Sequence, residues 1–243
     1  MLKFDSNEYW QKTTWDRYTE LDVVPLDVKN EFLLQEKLTV SYISELTKKN
    51  KNTKILDLAC GTGKISESII RSSLNNVTLT VADFNKNTLE KTKRNLEKYN
   101  NINYLLIDAL KIGEYFKGEF DVIVCMDFFH HISNLSVLIK QINTSLRSEG
   151  ILIANAFDKN NYKKWDRMKY GCSKSLKRRF LFEFANIIYP YTTTNIKRII
   201  NKNGWARISP LTEIDIVNNL SPYFVDIEFK KSFYLWFNAK KRA

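Results

Sequence analysis

Residues 54–63 read KILDLACGTG, and this stretch decides the fold. Its first half is a short apolar run bounded by polar residues, which is typical of a buried strand. The run ends in a loop that contains Gly61 and Gly63, and residues 64–72 have a helix-like pattern. A strand, a glycine loop and a helix in this order predict the first unit of an α/β sheet.

The same alternation continues along the chain. Further strands are predicted at residues 79–83, 102–107, 120–126 and 150–154, with helices at 88–99 and 135–146. Strands that alternate with helices imply right-handed βαβ units and a mainly parallel sheet. Two last strands, at 225–229 and 234–238, share a short turn, and they predict a C-terminal antiparallel hairpin.

Composition sets the class of protein. The chain has 243 residues, of which 44% are hydrophobic and 27% charged, so it has the composition of a globular domain and not of a disordered chain. Three widely spaced cysteines form neither a disulfide framework nor a CxxC pair, and they predict no metal site. Residues 1–8 lack an apolar signal region and no stretch of about 18 apolar residues occurs, so we expect a cytoplasmic protein.

The basic character of the chain is concentrated in one segment. The formal net charge is +11, and residues 159–179 hold nine Lys or Arg and one acidic residue. This local excess indicates an anionic partner, which is an anionic substrate, a membrane surface or nucleic acid. A solvated helix face is the alternative interpretation.

An acidic residue lies at the end of the next predicted strand. Asp83 follows Gly63 by 20 residues, a spacing that suits a carboxylate that accepts hydrogen bonds from two ribose hydroxyls. The third glycine of a dinucleotide loop is missing, because Ser66 stands at its position. A nucleoside ligand is therefore favoured over a dinucleotide, and a tight turn without a ligand is the alternative.

Residues 55–63 resemble motif I of the class I S-adenosylmethionine-dependent methyltransferases, with Ala59 where that family most often has its first glycine. The resemblance implies an α/β, Rossmann-like, seven-stranded and mainly parallel sheet with a C-terminal antiparallel hairpin and helices on both faces. The chain would be a single domain. Its parts are an N-terminal helical cap (1–50), a cofactor-binding core (54–157), a basic and aromatic insertion over the cleft (159–191), and C-terminal helices with the hairpin (192–243).

The resemblance also implies which residues bind S-adenosylmethionine. Asp57 and the loop would hold the methionine part, Asp83 the ribose and Phe84 the adenine, while Asp108 would bond the adenine amino group or cap the next helical turn. The implied set is Asp57, Ala59, Cys60, Gly61, Gly63, Asp83, Phe84, Asp108, Ala109 and Met126.

The substrate side is expected after the fourth strand. Residues 120–132, FDVIVCMDFFHHI, are similar to the corresponding motif of small-molecule methyltransferases of quinone and sugar pathways. His130 and His131 are the only histidines in the chain, and a neutral imidazole there can take the proton of a hydroxyl acceptor. We favour His131 as the base, and structural packing is the alternative for both. Asn155 is an amide where an orienting acid would stand, so Asp158 is the candidate acid partner.

These features predict an enzyme that transfers a methyl group from S-adenosylmethionine to an oxygen or nitrogen of a small molecule, in specialised-metabolite or cofactor biosynthesis. Two alternatives stay open. One is an RNA methyltransferase that uses the basic insertion. The other is a membrane-associated binding protein with a degenerate cofactor site, held at the bilayer by residues 159–191.

Overall fold

The computed structural model describes residues 17–18, 26–49, 52–72, 77–162 and 208–243. The strands are β1 (Thr53–Leu58), β2 (Val77–Asp83), β3 (Ile102–Leu106), β4 (Phe120–Cys125), β5 (Leu146–Phe157), β6 (Phe224–Lys231) and β7 (Tyr234–Lys241). The helices are α1 (Leu26–Lys49), α2 (Lys64–Ser72), α3 (Lys86–Leu96), α4 (Ile112–Tyr115), α5 (Leu135–Ser145) and α6 (Glu213–Leu220), with single 3-10 turns at Ala109–Lys111 and Phe129–His131.

The seven strands form one sheet in the order β3-β2-β1-β4-β5-β7-β6. Strands β1 to β5 run parallel to one another, whereas β7 is antiparallel to both β5 and β6. This arrangement confirms the predicted α/β sheet and its C-terminal hairpin.

Helices cover both faces of the sheet. One apolar cluster joins the strands to α1, α2 and α3, and a second joins them to α4, α5 and α6. The central strands are therefore buried on both sides, which is why the buried positions of β1 and β4 are consecutive and do not alternate.

The strand order places the ligand site. Successive strands move from β1 toward β3 on one side and from β4 toward β6 on the other, so the order reverses between β1 and β4. In open α/β sheets, ligands bind outside the carboxyl ends of the strands at this reversal. We call the space above the ends of β1 and β4 the crevice. The glycine loop borders it on one side and residues 126–132 on the other.

Several boundaries differ from the sequence prediction, by up to four residues. Strand β5 begins at Leu146 and not at Gly150, because Glu149 takes a left-handed conformation (φ 60°) and shifts the register against β4. The polar residues before Gly150 look like a turn in sequence, although they form this bulge. Helix α3 ends at Leu96 and not at Tyr99, and the 3-10 turns after β3 and β4 were not predicted.

Large parts of two predicted regions lie outside the described residues. Of the N-terminal cap, the structure describes α1, Arg17 and Tyr18, and of the basic insertion it describes residues 159–162. The predicted helix at 193–203 is also outside. In the described part of the chain, no helix is long and apolar enough to cross a membrane.

Candidate active site

The loop after β1 has a left-handed backbone at three positions. The φ angles are 59° at Ala59, 55° at Gly61 and 85° at Gly63. At Ala59 this conformation costs about 1–2 kcal/mol, because its Cβ approaches the following carbonyl oxygen. The loop keeps its shape nevertheless, since the Cys60 N–H donates to the Ala82 carbonyl at 3.0 Å and the Gly63 N–H to the Cys60 carbonyl at 3.1 Å.

The two glycines have different physical roles. A Cβ on Gly63 would lie 2.8 Å from Cγ2 of Thr92, so Gly63 allows the loop to pack against α3. A Cβ on Gly61 would meet no atom within 4 Å, so Gly61 faces open space. Side chains of α3 hold the loop in place. The Thr92 hydroxyl donates to the Gly61 carbonyl, and the Asn95 amide donates to the Thr62 carbonyl at 2.9 Å. A loop backbone that faces open space at Gly61 and is held by α3 suits the close approach of a ligand.

Asp83 connects this loop to the end of β2. Its carboxylate accepts hydrogen bonds from the Gly61 N–H at 3.1 Å and from the Asn85 N–H at 2.9 Å. The Asn85 side chain in turn accepts from the Thr88 N–H and caps α3. Burial raises the pKa of Asp83 to about 6, and the backbone N–H bonds oppose this rise. A carboxylate that two turns hold in place is well suited to bind ribose hydroxyls.

Asp57 is more deeply buried than Asp83, with 2% of its surface exposed. It accepts a hydrogen bond from the Ser66 hydroxyl of α2. Burial, and then the charge of Asp83, raise the pKa of Asp57 to about 6, while the Ser66 bond lowers it. The structure therefore places Asp57 behind the glycine loop, where it ties β1 to α2.

One cavity of about 480 Å³, its open mouth included, lies beside the loop. It unites residues from four strand ends, and most of the predicted nucleoside-binding residues line it. The lining residues are Ala59, Asp83, Phe84, Ile107, Asp108, Ala109, Leu110, Phe128, His131 and Ile132. Asp108 also caps the 3-10 turn that follows it, since its carboxylate accepts from the Leu110 N–H at 2.9 Å. The capping alternative for Asp108 is thus observed, and the residue borders the cavity as well.

Cys60 and Met126 belong to the predicted cofactor set but do not line this cavity. Burial, and then the charges of Asp57 and Asp83, hold the pKa of the Cys60 thiol well above its usual value. The Met126 sulfur is nearly buried and accepts a hydrogen bond from the Thr39 hydroxyl at 3.7 Å. Cys60 follows β1 and Met126 follows β4, the two strands between which the strand order reverses.

The two histidines occupy different environments on one 3-10 turn. His131 lines the cavity. His130 is 2% exposed, and its ring lies 4.2 Å from the Phe157 ring and 6.3 Å from the Tyr234 ring, measured between centroids. The His130 ring also packs against His131 at 4.3 Å. Packing thus accounts for the position of His130, while His131 shares the cavity with the predicted nucleoside-binding residues.

Asp158 does not form the predicted histidine–acid pair. Its carboxylate accepts hydrogen bonds from the Asn160 N–H at 3.0 Å and the Asn161 side chain at 2.8 Å, which closes a turn after β5. Asn155, in contrast, is directed at the crevice. It exchanges two hydrogen bonds with Asp127, one with the backbone N–H and one with the carboxylate.

Arg17 and Tyr18 are two site residues that the sequence analysis did not identify. The Arg17 guanidinium donates to the Asp127 carboxylate and lies 3.6 Å above the Phe32 ring. The Tyr18 hydroxyl approaches the Gly63 carbonyl at 3.5 Å. No local pattern in the sequence links Arg17 to a partner 110 positions away.

The residues of the loop and cavity fit S-adenosylmethionine, the cofactor that motif I implies. Gly61 leaves open space for a close ligand, Asp83 offers a fixed carboxylate, and Phe84 and Ala109 provide apolar walls. Within the described ranges, no group of three His, Cys, Asp or Glu side chains is placed to hold a metal ion.

Comparisons with known proteins agree with this geometry. The model of a family described as a methyltransferase domain matches residues 49–204. The ubiquinone biosynthesis O-methyltransferase of Erwinia tasmaniensis is 25% identical over 168 residues, which are 68% of this chain and 63% of that relative. The chain therefore spans less than two thirds of that relative's length.

Two solved structures share the fold. The N-methyltransferase NodS from Bradyrhizobium japonicum, in complex with S-adenosyl-L-homocysteine, has a TM-score of 0.57 at 12% identity, over 98% of each chain. The CurJ carbon methyltransferase has a TM-score of 0.69 at 14% identity, over 99% of this chain and 62% of CurJ. The family match covers more than half of the sequence, and together with the shared fold it shows that the chain belongs to the methyltransferase domain family.

Proposed function

We propose that this chain methylates an oxygen or nitrogen of a small-molecule acceptor, and that a hydroxyl is the preferred acceptor group. One observation carries the proposal: Asp83, placed to hold the ribose, and His131, a candidate base, line the same cavity. A proton acceptor beside the cofactor site is what a hydroxyl acceptor needs and an amine acceptor does not. The relative from Erwinia is an O-methyltransferase, which supports the same choice.

The cofactor-binding residues have separate tasks in this proposal. When bound, S-adenosylmethionine supplies a methyl group on a sulfonium sulfur. Asp83 accepts the ribose hydroxyls, Phe84 contacts the adenine, and Asp108 and Ala109 border the base. The open backbone at Gly61 lies against the methionine part, while Asp57 and Gly63 act from behind by holding the loop.

His131 performs the proton transfer in this proposal. A hydroxyl oxygen becomes a better nucleophile as it loses its proton, and the neutral imidazole of His131 accepts that proton. His130 supports the His131 ring from one side, within an aromatic cluster that includes Phe157 and Tyr234. Orientation of the acceptor supplies the remaining rate enhancement, because an in-line approach to the methyl group is required.

The test is a pH–rate profile. Incubation with labelled S-adenosylmethionine and a metabolite extract identifies an acceptor, and wild type and His131→Ala are then compared on it. For a hydroxyl acceptor, we expect kcat to fall ~10²–10⁴-fold in the variant, and the acid limb of the wild-type profile to disappear. Binding of S-adenosylhomocysteine should change little, and this serves as the control for folding. Full kcat in His131→Ala on a hydroxyl acceptor would remove His131 from the mechanism.

The basic segment bears on which molecules the protein contacts. The charge of residues 159–179 supports an anionic acceptor or contact with an anionic membrane surface. RNA methylation and a membrane-bound scaffold rest on the same segment, of which the structure describes residues 159–162, and no observation in the described residues favours them.

A further inference from the structure

Asp127 has an unusual conformation on the β4 side of the crevice. Its φ is 56°, in the left-handed region that residues with a Cβ rarely adopt. It follows Met126 directly at the end of β4, opposite the glycine loop. Backbone strain of this kind is kept where surrounding contacts enforce it, and it clusters at ligand sites.

Asn155 enforces this conformation. It lies on β5, is 1% exposed, and directs both polar atoms of its amide at Asp127. Its Oδ1 accepts the Asp127 backbone N–H, and its Nδ2 donates to Asp127 Oδ1 at 3.2 Å. Both polar atoms of this buried amide bond the same residue, so they fix both the backbone of Asp127 and the direction of its carboxylate.

Arg17 closes the arrangement from the other side. It donates to Asp127 Oδ2, and its guanidinium lies on the Phe32 ring. The next residue, Tyr18, reaches the Gly63 carbonyl of the cofactor loop. Two consecutive residues thus contact both walls of the crevice. The Arg17 and Asp127 side chains are still 24% and 28% exposed, so the ion pair borders open space.

The chemistry of the pair defines what it can bind. A carboxylate accepts hydrogen bonds and donates none, and its two oxygens have more acceptor sites than Asn155 and Arg17 use. A ligand group at Asp127 must therefore be a donor. Because Arg17 neutralises the carboxylate, a cationic donor gains little there, whereas a neutral hydroxyl is matched.

We propose that Asp127 binds and orients the acceptor by accepting a hydrogen bond from an acceptor hydroxyl other than the one that is methylated. This inference rests on the proposed function, since it assumes that the acceptor lies in the crevice. It assigns Asn155 as a positioning residue for Asp127, and Arg17 as the residue that sets the charge of the site.

Three small probes test the proposal by direct titration of protein saturated with S-adenosylhomocysteine. Catechol carries a neutral second donor, 2-methoxyphenol has the same ring without that donor, and 2-(aminomethyl)phenol carries a cationic donor. The variants are Asp127→Asn, which suits a left-handed backbone, and Arg17→Gln. Arg147→Gln is the matched control, because it breaks a similar Arg–Asp pair (2.7 Å to Asp121) away from the crevice.

In wild type and in Arg147→Gln, catechol should bind about tenfold or more tightly than 2-methoxyphenol, as expected for a hydrogen bond to a charged group. Asp127→Asn should abolish this ratio and leave the affinity for S-adenosylhomocysteine unchanged. Arg17→Gln should shift the preference toward 2-(aminomethyl)phenol, because it unmasks the carboxylate.

An unchanged catechol to 2-methoxyphenol ratio in Asp127→Asn would overturn the proposal, and so would failure of all three probes to bind wild type. Should Asp127→Asn prove unstable in a thermal melt, Arg17→Gln still decides, because an unshifted charge preference contradicts the assigned role of the pair. Failure of the proposed function has a different signature, which is probe binding that depends on residue 127 without methyl transfer from S-adenosylmethionine.

Discussion

The affinity for S-adenosylhomocysteine should depend on pH through Asp83. Burial raises the pKa of this carboxyl to about 6, so the apo protein holds it as an anion at about pH 7.5 but only about one tenth of it at pH 5. Ribose hydroxyls donate to the anion, and the neutral acid offers them a poorer acceptor. Binding at low pH must therefore release a proton, and affinity falls as the pH drops through the pKa.

The magnitude follows from the titration. Below the pKa, each pH unit lowers the ionised fraction about tenfold, so the dissociation constant should rise about tenfold between pH 7.5 and pH 5. Asp83→Asn should weaken binding by about 10- to 100-fold at neutral pH, since it replaces a charge-assisted bond pair, and should flatten the profile.

Isothermal titration with S-adenosylhomocysteine, in buffers of different ionisation enthalpy, measures both the affinity and the protons released. Glu90→Gln is the matched control, because Glu90 is an exposed carboxylate of α3, the helix whose Thr92 contacts the same loop. An affinity that stays constant from pH 5 to 8, with no proton release, would refute the reasoning. Tight NADH binding without any S-adenosylhomocysteine binding would refute the cofactor assignment itself.

Two further perturbations address the loop and the basic segment. Gly63→Ala should destabilise the fold by about 2 kcal/mol or more, because a Cβ would lie 2.8 Å from Thr92 in a left-handed backbone, whereas Gly61→Ala should cost less, since only the backbone term applies. Thermal melts of both variants check this order, and equal melting temperatures would contradict it. Neutralising residues 177–179 should leave cofactor affinity nearly unchanged and weaken acceptor kinetics or liposome binding. If neither changes, the charge serves only solvation.

Local sequence patterns predicted the sheet, because residues next to one another in the chain mark the strands and their ends. The apolar run of β1 followed by Gly61 and Gly63, and the acid that closes β2, are contiguous features, so both could be identified without tertiary contacts. The boundaries that failed were those where long-range pairing overrides local preference. The start of β5 is an example, because pairing with β4 extends the strand through the polar residues around Glu149.

The candidate site likewise has residues that local sequence predicts and residues that only long-range contacts bring together. The sequence by itself predicted the candidate cofactor side, since the residues from Asp57 to Gly63 are adjacent in the chain and Asp83 stands at a fixed spacing from them. It also placed two histidines at the crevice, but only the tertiary structure shows that their environments differ. Adjacent residues on a 3-10 turn point in different directions, and only packing against Phe157 decides that His130 is buried while His131 lines the cavity.

The contacts of Asp127 were decided by the tertiary structure alone. Asp127, Asn155 and Arg17 carry no common motif, and contacts separated by 28 and 110 positions bring them together. Hydrogen bonds and ion pairs depend on distances of a few ångströms in space, which the chain reaches only when β4, β5 and Arg17 come together at the crevice. A sequence records the local geometry of a strand and its loop, whereas such long-range contacts exist only in the folded protein.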